Sequence, residues 1–345
     1  MGIKIRKSIS NLQTYNVGGR SDLSSDWECF DWNESEFPPT NKVFEVMKSF
    51  YRYERYPDIT AKQLKNKLSE YVSLPVDFIE VYNGSDDALK DIITVFVDKD
   101  TKVLSYQPSY TQVNTFITTN TENYEKVNIQ DPLGEHYFDF SYCKSADVVY
   151  LVNPNNPTGK LLPVKEIETL VKMYPNTLFI VDEAYYEFAK QSCTYLVVSH
   201  KNLIVTRTFS KAFGLASVRL GYCMAHPDTL SDVRKIRNGK AVNALGQLCG
   251  IAALDDLDYL QSRIDEMNDA KKFFIDNLPN YYHAIDSDAN FVLVKTPDSK
   301  KVLDKMKENK ILIRDRSAFD NLENCVRITI GSKKQIIRVL DVMTN

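Results

Sequence analysis

The sequence has no apolar run approaching the roughly 20 residues that a membrane helix needs. It has no excess of either charge: net charge is −3 over 345 residues. No basic patch or basic amphipathic run marks a nucleic-acid or membrane surface. The first residues, Met1-Gly2-Ile3-Lys4-Ile5-Arg6-Lys7, are basic but lack the apolar core of a secretion signal. Gly2 lacks the downstream Ser or Thr that favours myristoylation. Histidine is scarce, with four in all, and the four stand apart from one another and from the six cysteines. No pair among Cys29, Cys143, Cys193, Cys223, Cys249 and Cys325 has metal-ligand spacing. Reduced cysteines in a cytoplasmic protein without metal are therefore expected. No internal repeat or low-complexity tract is present. What remains is an ordinary globular composition, 43% hydrophobic and 26% charged. A chain of this length can bury a sizeable core in two domains, or in one large domain with an appendage.

Seven short apolar runs punctuate residues 78 to 225: 78–82, 102–106, 124–128, 148–152, 178–182, 203–206 and 220–224. Three are nearly continuous hydrophobic stretches, as expected of strands covered by helices on both faces. Helical patterns lie between them, as at 85–96 and 164–172. The alternation predicts a three-layer α/β/α large domain with a mainly parallel seven-stranded sheet. Beyond residue 225 a long helical region over 232–277 is expected. Three short strands (290–294, 311–314, 326–330) and a helix from Ser332 should follow, making a smaller α+β domain. Residues 1–40, with Trp27, Phe30, Trp32 and Phe37, read as an arm packed on the small domain. The expected division is 1–40 for the arm, 41–245 for the large domain and 246–345 for the small one.

Ligands of open α/β sheets bind beyond the carboxyl ends of the strands. One run ends in Asn153-Pro154-Asn155-Asn156-Pro157-Thr158-Gly159, a second in Asp182-Glu183-Ala184-Tyr185, a third in Thr206-Arg207-Thr208-Phe209-Ser210-Lys211. Lys211 has Phe209, Ala212, Phe213 and Leu215 as neighbours rather than the polar company of a surface lysine. Desolvation disfavours its charged form, and a neutral amine can hold a carbonyl cofactor as a Schiff base. Taken singly, Asp182-Glu183 reads as a helix cap, the Asn-Pro-Gly stretch as a turn, and Lys211 as a surface residue. Together they supply what pyridoxal phosphate requires. A lysine meets the aldehyde, an aspartate the pyridine nitrogen, and an amide with a phenol the ring oxygen. Asn83-Gly84-Ser85-Asp86-Asp87 is a strand-to-helix turn whose amides can seat a phosphate. Its two acids must then point away or act as caps. Thr208, Ser210 and Arg219 can complete that seat. Tyr110 is placed either to stack on the ring or to pack in the core.

These segments, with Ser210-Lys211-Ala212-Phe213-Gly214-Leu215-Ala216, resemble the fold-type I pyridoxal-phosphate enzymes. Within them the chain is similar to the histidinol-phosphate aminotransferase branch. The similarity extends to Arg55-Tyr56-Pro57-Asp58 and to Cys325-Val326-Arg327-Ile328-Thr329-Ile330-Gly331. The resemblance implies Lys211 as Schiff-base lysine and proton shuttle, Asp182 on the pyridine nitrogen, and Asn156 and Tyr185 on the ring hydroxyl. It implies Tyr110 stacked on the ring, with Ser85, Asp86, Thr208, Ser210 and Arg219 around the phosphate. Tyr56 would reach the phosphate site of a neighbouring subunit, which implies a homodimer with shared active sites. Arg327 matches the arginine that grips the substrate's anionic group, and Arg314 and Tyr15 match residues that hold substrate phosphate. Two departures stand out: Ser217 replaces a usual glycine, and Phe30-Asp31-Trp32-Asn33-Glu34-Ser35-Glu36-Phe37-Pro38-Pro39 matches the branch's arm only loosely.

The leading expectation is an aminotransferase. It would move an amino group, with glutamate as donor, to imidazole-acetol phosphate or to a shorter phosphorylated ketone such as dihydroxyacetone phosphate. A decarboxylase of a phosphorylated amino acid can use the same groups. A non-catalytic pyridoxal-phosphate-binding regulator is a third reading, opposed by retention of every catalytic group. No nucleic-acid or membrane partner is expected.

Overall fold

A computed structural model describes residues 3–10, 12, 20, 24 and 26–344. Thirteen strands are present among them. They are β1 (Glu28–Cys29), β2 (Ile79–Tyr82), β3 (Val103–Gln107), β4 (Tyr124–Asn128), β5 (Val148–Val152), β6 (Leu178–Asp182), β7 (Leu203–Thr208), β8 (Gly221–Ala225), β9 (His283–Ala284), β10 (Phe291–Lys295), β11 (Ile311–Leu312), β12 (Arg314–Asp315) and β13 (Cys325–Thr329). Seven form one sheet in the order β2-β8-β7-β6-β5-β3-β4. The run β7-β6-β5-β3-β4 is parallel, and β8 lies antiparallel between β7 and β2.

The central strands are buried along their whole length. Alternate residues therefore feed two separate cores. Val149, Leu151, Phe179, Val181 and Val205 pack on one face. Val148, Tyr150, Ile180 and Ile204 pack on the other against the helix Ser85–Phe96. This is the expected three-layer arrangement, and each of the seven expected runs is a strand.

The C-terminal part differs from expectation in three places. The long helical region is three helices, Pro227–Arg234, Ala244–Leu254 and Leu257–Asp276. Asn243 starts the second by accepting from the Gly246 amide at 2.6 Å, a cap that composition alone does not reveal. The expected strand over 311–314 is two short pieces that change partner. β11 pairs in parallel with β1 of the arm, and β12 pairs with β13. A four-stranded sheet results, in the order β12-β13-β10-β9, with β9 an addition to the sequence reading. Helices Asn41–Ser49 and Lys62–Val72 are likewise additions. The arm is tied to the small sheet: Phe30 is fully buried among Val292, Val326 and Ile328, and the Thr329 amide donates to its carbonyl at 2.9 Å. No helix among the described residues is long and apolar enough to cross a membrane.

Candidate active site

The parallel register aligns Val152, Asp182 and Thr206 at the carboxyl ends of β5, β6 and β7. A cavity of about 280 Å³ opens there. Its wall includes Asn156, Asp182, Tyr185, Thr208, Ser210 and Lys211 from these ends, Ser85, Asp86 and Tyr110 from neighbouring turns, and Arg219, Arg314 and Arg327. Twelve of the fourteen residues singled out from sequence thus meet at one site. Tyr56 lies outside it, largely exposed, with the Lys240 ammonium 4.5 Å from its ring centre. Tyr15 lies outside the described residues.

Lys211 Nζ donates to the Trp32 carbonyl at 2.9 Å. Loss of water chiefly, and then the Arg327 guanidinium, pull its pKa down to about 8. Asp182 is buried, and burial raises its pKa to about 6 against the lowering effect of its hydrogen bonds. Tyr150 Oη donates to one carboxylate oxygen at 3.0 Å and Thr206 Oγ1 to the other at 3.2 Å. Among the described residues no cationic side chain pairs with Asp182. A protonated pyridine nitrogen would be such a partner.

Tyr185 Oη accepts from Asn33 Nδ2 at 2.9 Å and from Asn156 Nδ2 at 3.3 Å. No described side chain accepts the tyrosine's own proton, so it can donate to a ligand oxygen. The anion seat is equally specific. Helix Ser85–Phe96 starts at Gly84 without a side-chain cap, which leaves its first amides to an incoming anion. Gly84 sits at φ +91°, and a Cβ there would stand 2.6 Å from Arg219 Nη2. A Cβ on Gly221 would stand 2.4 Å from the Ser85 amide nitrogen. The two backbones approach closely because neither glycine carries a side chain. Arg219 itself is held left-handed at φ 56°, a strained conformation that clusters at ligand sites. Its Nη1 donates to Ala216 O at 3.2 Å and reaches Ser210 Oγ at 3.5 Å. The two acids behave as a phosphate seat needs. Asp87 turns back to accept from the Asn83 amide, and Asp86 accepts from Tyr110 Oη at 2.9 Å.

Several contributors carried no motif. Asn33, Trp32 and Asp31 belong to the loosely matched arm, and Tyr150 and Thr206 sit inside hydrophobic strands. Arg327 is fixed by Nη1 to Asn156 Oδ1 at 2.6 Å and by Nη2 to the Asp31 carbonyl at 2.6 Å. Arg316 also lines the cavity. Strand alternation from Arg314 was the signal that could have found it.

A buried uncompensated carboxylate, a desolvated lysine and an uncapped helix end converge on a cavity at strand ends. They fit pyridoxal phosphate, and with this sheet they define a fold-type I pyridoxal-phosphate-dependent transferase. The chain belongs to the class I and II aminotransferases, whose family profile matches residues 23–343. It is 37% identical to a dihydroxyacetone phosphate transaminase of Campylobacter jejuni over 325 residues, 90% of this chain and 88% of that protein. The structure of histidinol-phosphate aminotransferase from Sinorhizobium meliloti in complex with pyridoxal-5'-phosphate is similar at TM-score 0.84 and 25% identity, covering 92% of this chain and 89% of that one. L-threonine-O-3-phosphate decarboxylase from Porphyromonas gingivalis is similar at TM-score 0.79 and 25% identity, covering 92% and 98%.

Proposed function

We propose that this aminotransferase moves an amino group from an amino acid, glutamate being the expected donor, to a short phosphorylated ketone such as dihydroxyacetone phosphate. The observation that carries the reading is the pair Arg314 and Arg327. They are directly opposed on β12 and β13 and line one cavity. Two separate guanidinium groups suit a carboxylate at one stage and a phosphate at the other. The choice of a short acceptor over imidazole-acetol phosphate is supported by the substrate named for the transaminase relative.

When bound, pyridoxal phosphate supplies an aldehyde and an electron-withdrawing ring that make the α-proton of an amino acid removable. Lys211 is the residue that would hold the aldehyde. With a pKa of about 8, its Nζ can both carry and release a proton near neutrality. Asp182 would hold the ring nitrogen's proton, Asn156 and Tyr185 would orient the ring oxygen, and Tyr110 would cover the ring. Ser85 and Asp86 through their amides, with Thr208, Ser210 and Arg219, would hold the phosphate. Arg327 would take the donor carboxylate, already aimed by Asn156 and Asp31. Tyr15 and Arg314 would meet the acceptor phosphate. Part of this reading is a cytoplasmic homodimer in which Tyr56 completes the neighbouring site, and exposed Tyr51, Tyr53 and Tyr56 support it. The three-part division of the chain also belongs to it. Its second boundary, expected between residues 245 and 246, is moved to the end of the Ala244–Leu254 helix, because that helix packs with the large-sheet core.

The test is to incubate the holoenzyme with glutamate and dihydroxyacetone phosphate and to follow 2-oxoglutarate. Formation of 2-oxoglutarate beyond one equivalent per active site, only when the phosphorylated ketone is present, is the expected result. Carbon dioxide release from a phosphorylated amino acid, without a keto acid, would replace transfer by decarboxylation. No turnover with any amine would leave a cofactor-binding regulator.

A further inference from the structure

Tyr150 stands in the middle of β5, directly beside Ile180 of β6. Alternation puts its ring on the sheet face from which Asp182 projects, two residues further along β6. An aromatic side chain can reach that diagonal neighbour, and Tyr150 Oη donates to Asp182 Oδ2 at 3.0 Å. Thr206, level with Asp182 on β7, donates to Oδ1 at 3.2 Å. The Ala184 amide adds a third hydrogen bond. A carboxylate has about four lone-pair positions. Three are thereby taken, which leaves one for a ligand in the cavity that Asp182 lines.

Tyr150, Asp182 and Thr206 are 2%, 4% and 0% exposed, so water cannot stand in for a lost donor. Burial, and then the Asp182 charge, hold the Tyr150 phenol well above its ordinary pKa, so it keeps the proton it donates. Burial pushes Asp182 up to about 6, and the Tyr150 hydrogen bond is the largest effect opposing that rise. A carboxylate raised this far competes with a pyridine nitrogen for the proton between them.

We propose that Tyr150, backed by Thr206, is a positioning residue that keeps Asp182 ionised and aimed, so that the cofactor's ring nitrogen and not the acid holds the shared proton; this rests on Asp182 meeting that nitrogen. The competing role for Tyr150 is to fill the core against helix Ser85–Phe96.

The experiment has two readouts besides turnover. Apoenzyme carrying isotopically labelled aspartate is titrated by carbon NMR, with the Asp182 signal assigned through Asp182→Asn. Holoenzyme made with pyridoxal phosphate labelled at its ring nitrogen reports by nitrogen NMR whether that atom is protonated. The wild-type Asp182 midpoint should lie at about 6. In Tyr150→Phe it should rise by about one pH unit or more, the effect of one lost hydrogen bond to a charged acceptor. The ring-nitrogen signal should move from the protonated towards the neutral position. With it, kcat should fall about tenfold for every substrate, with each KM within about threefold of wild type. Thr206→Val removes the longer bond and should act in the same direction by less; it carries the comparison if the phenylalanine variant does not fold. Neither variant removes a charge. Asp86, Tyr110, Tyr185, Lys211, Arg219 and the arginines of the small domain, which share the cavity with Asp182, all remain. A moved midpoint therefore belongs to the lost hydroxyl. A lower Tm with both signals unmoved would make Tyr150 a core filler and overturn the proposal. A moved midpoint with an unmoved nitrogen signal would also overturn it, since the acid would then not decide where the proton sits. If Asp182→Asn itself leaves the nitrogen signal unchanged, Asp182 does not meet the ring nitrogen, and the proposal falls with that reading.

Discussion

At the cofactor end of the cavity, Asp182 and Thr206 are aligned on adjacent parallel strands, and Thr208 follows at the end of the same strand as Thr206. At the substrate end, the Asn33 amide reaches Thr329 and Arg327 reaches the Asp31 carbonyl, contacts that each join residues 296 apart in sequence. The first end is built by backbone pairing within a buried sheet. The second exists only where the arm is docked on the small sheet. Damage at the cofactor end should therefore abolish chemistry, and damage at the substrate end should change which substrate is used.

The largest effect is expected for Lys211→Ala. Activity should fall at least about a thousandfold, because both the hold on the aldehyde and the proton carrier are lost. Spectra recorded after gel filtration should show the cofactor released. The wild-type lysine also gives the comparison a pH signature. Its folded pKa of about 8 lies below the ordinary 10.5, so the neutral amine that captures the aldehyde grows as pH rises through about 8. The rate of cofactor uptake by the apoenzyme should follow that midpoint. Arg327→Ala, which removes a positive neighbour, should move it upward. An unmoved midpoint would uncouple the two ends.

Asp182→Asn comes next, with kcat expected to fall about a hundredfold or more for every substrate, since a preorganised charge is removed. Stability should move the other way. The folded carboxylate has a pKa of about 6, above the ordinary 3.8. Its contribution is therefore complete below about 3.8 and is lost as pH rises through about 6. At pH 7 the apo form of Asp182→Asn should be at least as stable as wild type, by Tm, whereas wild type should gain more on adding pyridoxal phosphate. A loss confined to one acceptor would blur the line between the two ends.

The same contrast explains what the sequence revealed. Strands β2, β3 and β5 to β8 were readable because each is a short run of almost wholly buried residues, whereas β4 is an exposed edge strand, and three carry their chemistry just beyond the run. Lys211, Asp182 and Asn156 were recognisable from neighbours within a few residues. Asn33 was not, because its partners Tyr185 and Thr329 lie far along the chain. The 311–314 segment read as one strand because composition does not show a change of partner at Ile313. Arg316 was overlooked because no motif contains it, although alternation from Arg314 places it.

Asn33 tests the substrate end directly. Its amide supports Tyr185 at 2.9 Å, while its backbone is left-handed at φ 54°. Asn33→Ala and Asn33→Gly should both raise the acceptor's KM about tenfold, by loss of a buried hydrogen bond. The alanine variant should lose about 1 kcal/mol more in denaturant unfolding, because glycine tolerates that backbone and alanine does not. Equal KM and kcat losses with all substrates would place Asn33 at the cofactor end.

Tyr110→Phe is the smallest change and locates the border between the ends. The substitution keeps the ring that would cover the cofactor and removes only the hydroxyl that donates to Asp86. Both side chains are partly exposed, so water replaces much of the lost bond and the net cost is about 0.5–1.5 kcal/mol. Asp86 Oδ2 lies 3.8 Å from Arg219. Freed from Tyr110, the carboxylate can compete with a bound phosphate for that guanidinium. The expected result is a several-fold weaker hold on pyridoxal phosphate, read by titration of the apoenzyme, with the acceptor's KM nearly constant at saturating cofactor. A selective change in acceptor KM would mean that the Tyr110–Asp86 bond shapes the substrate end, and the border would then run through the anion seat itself.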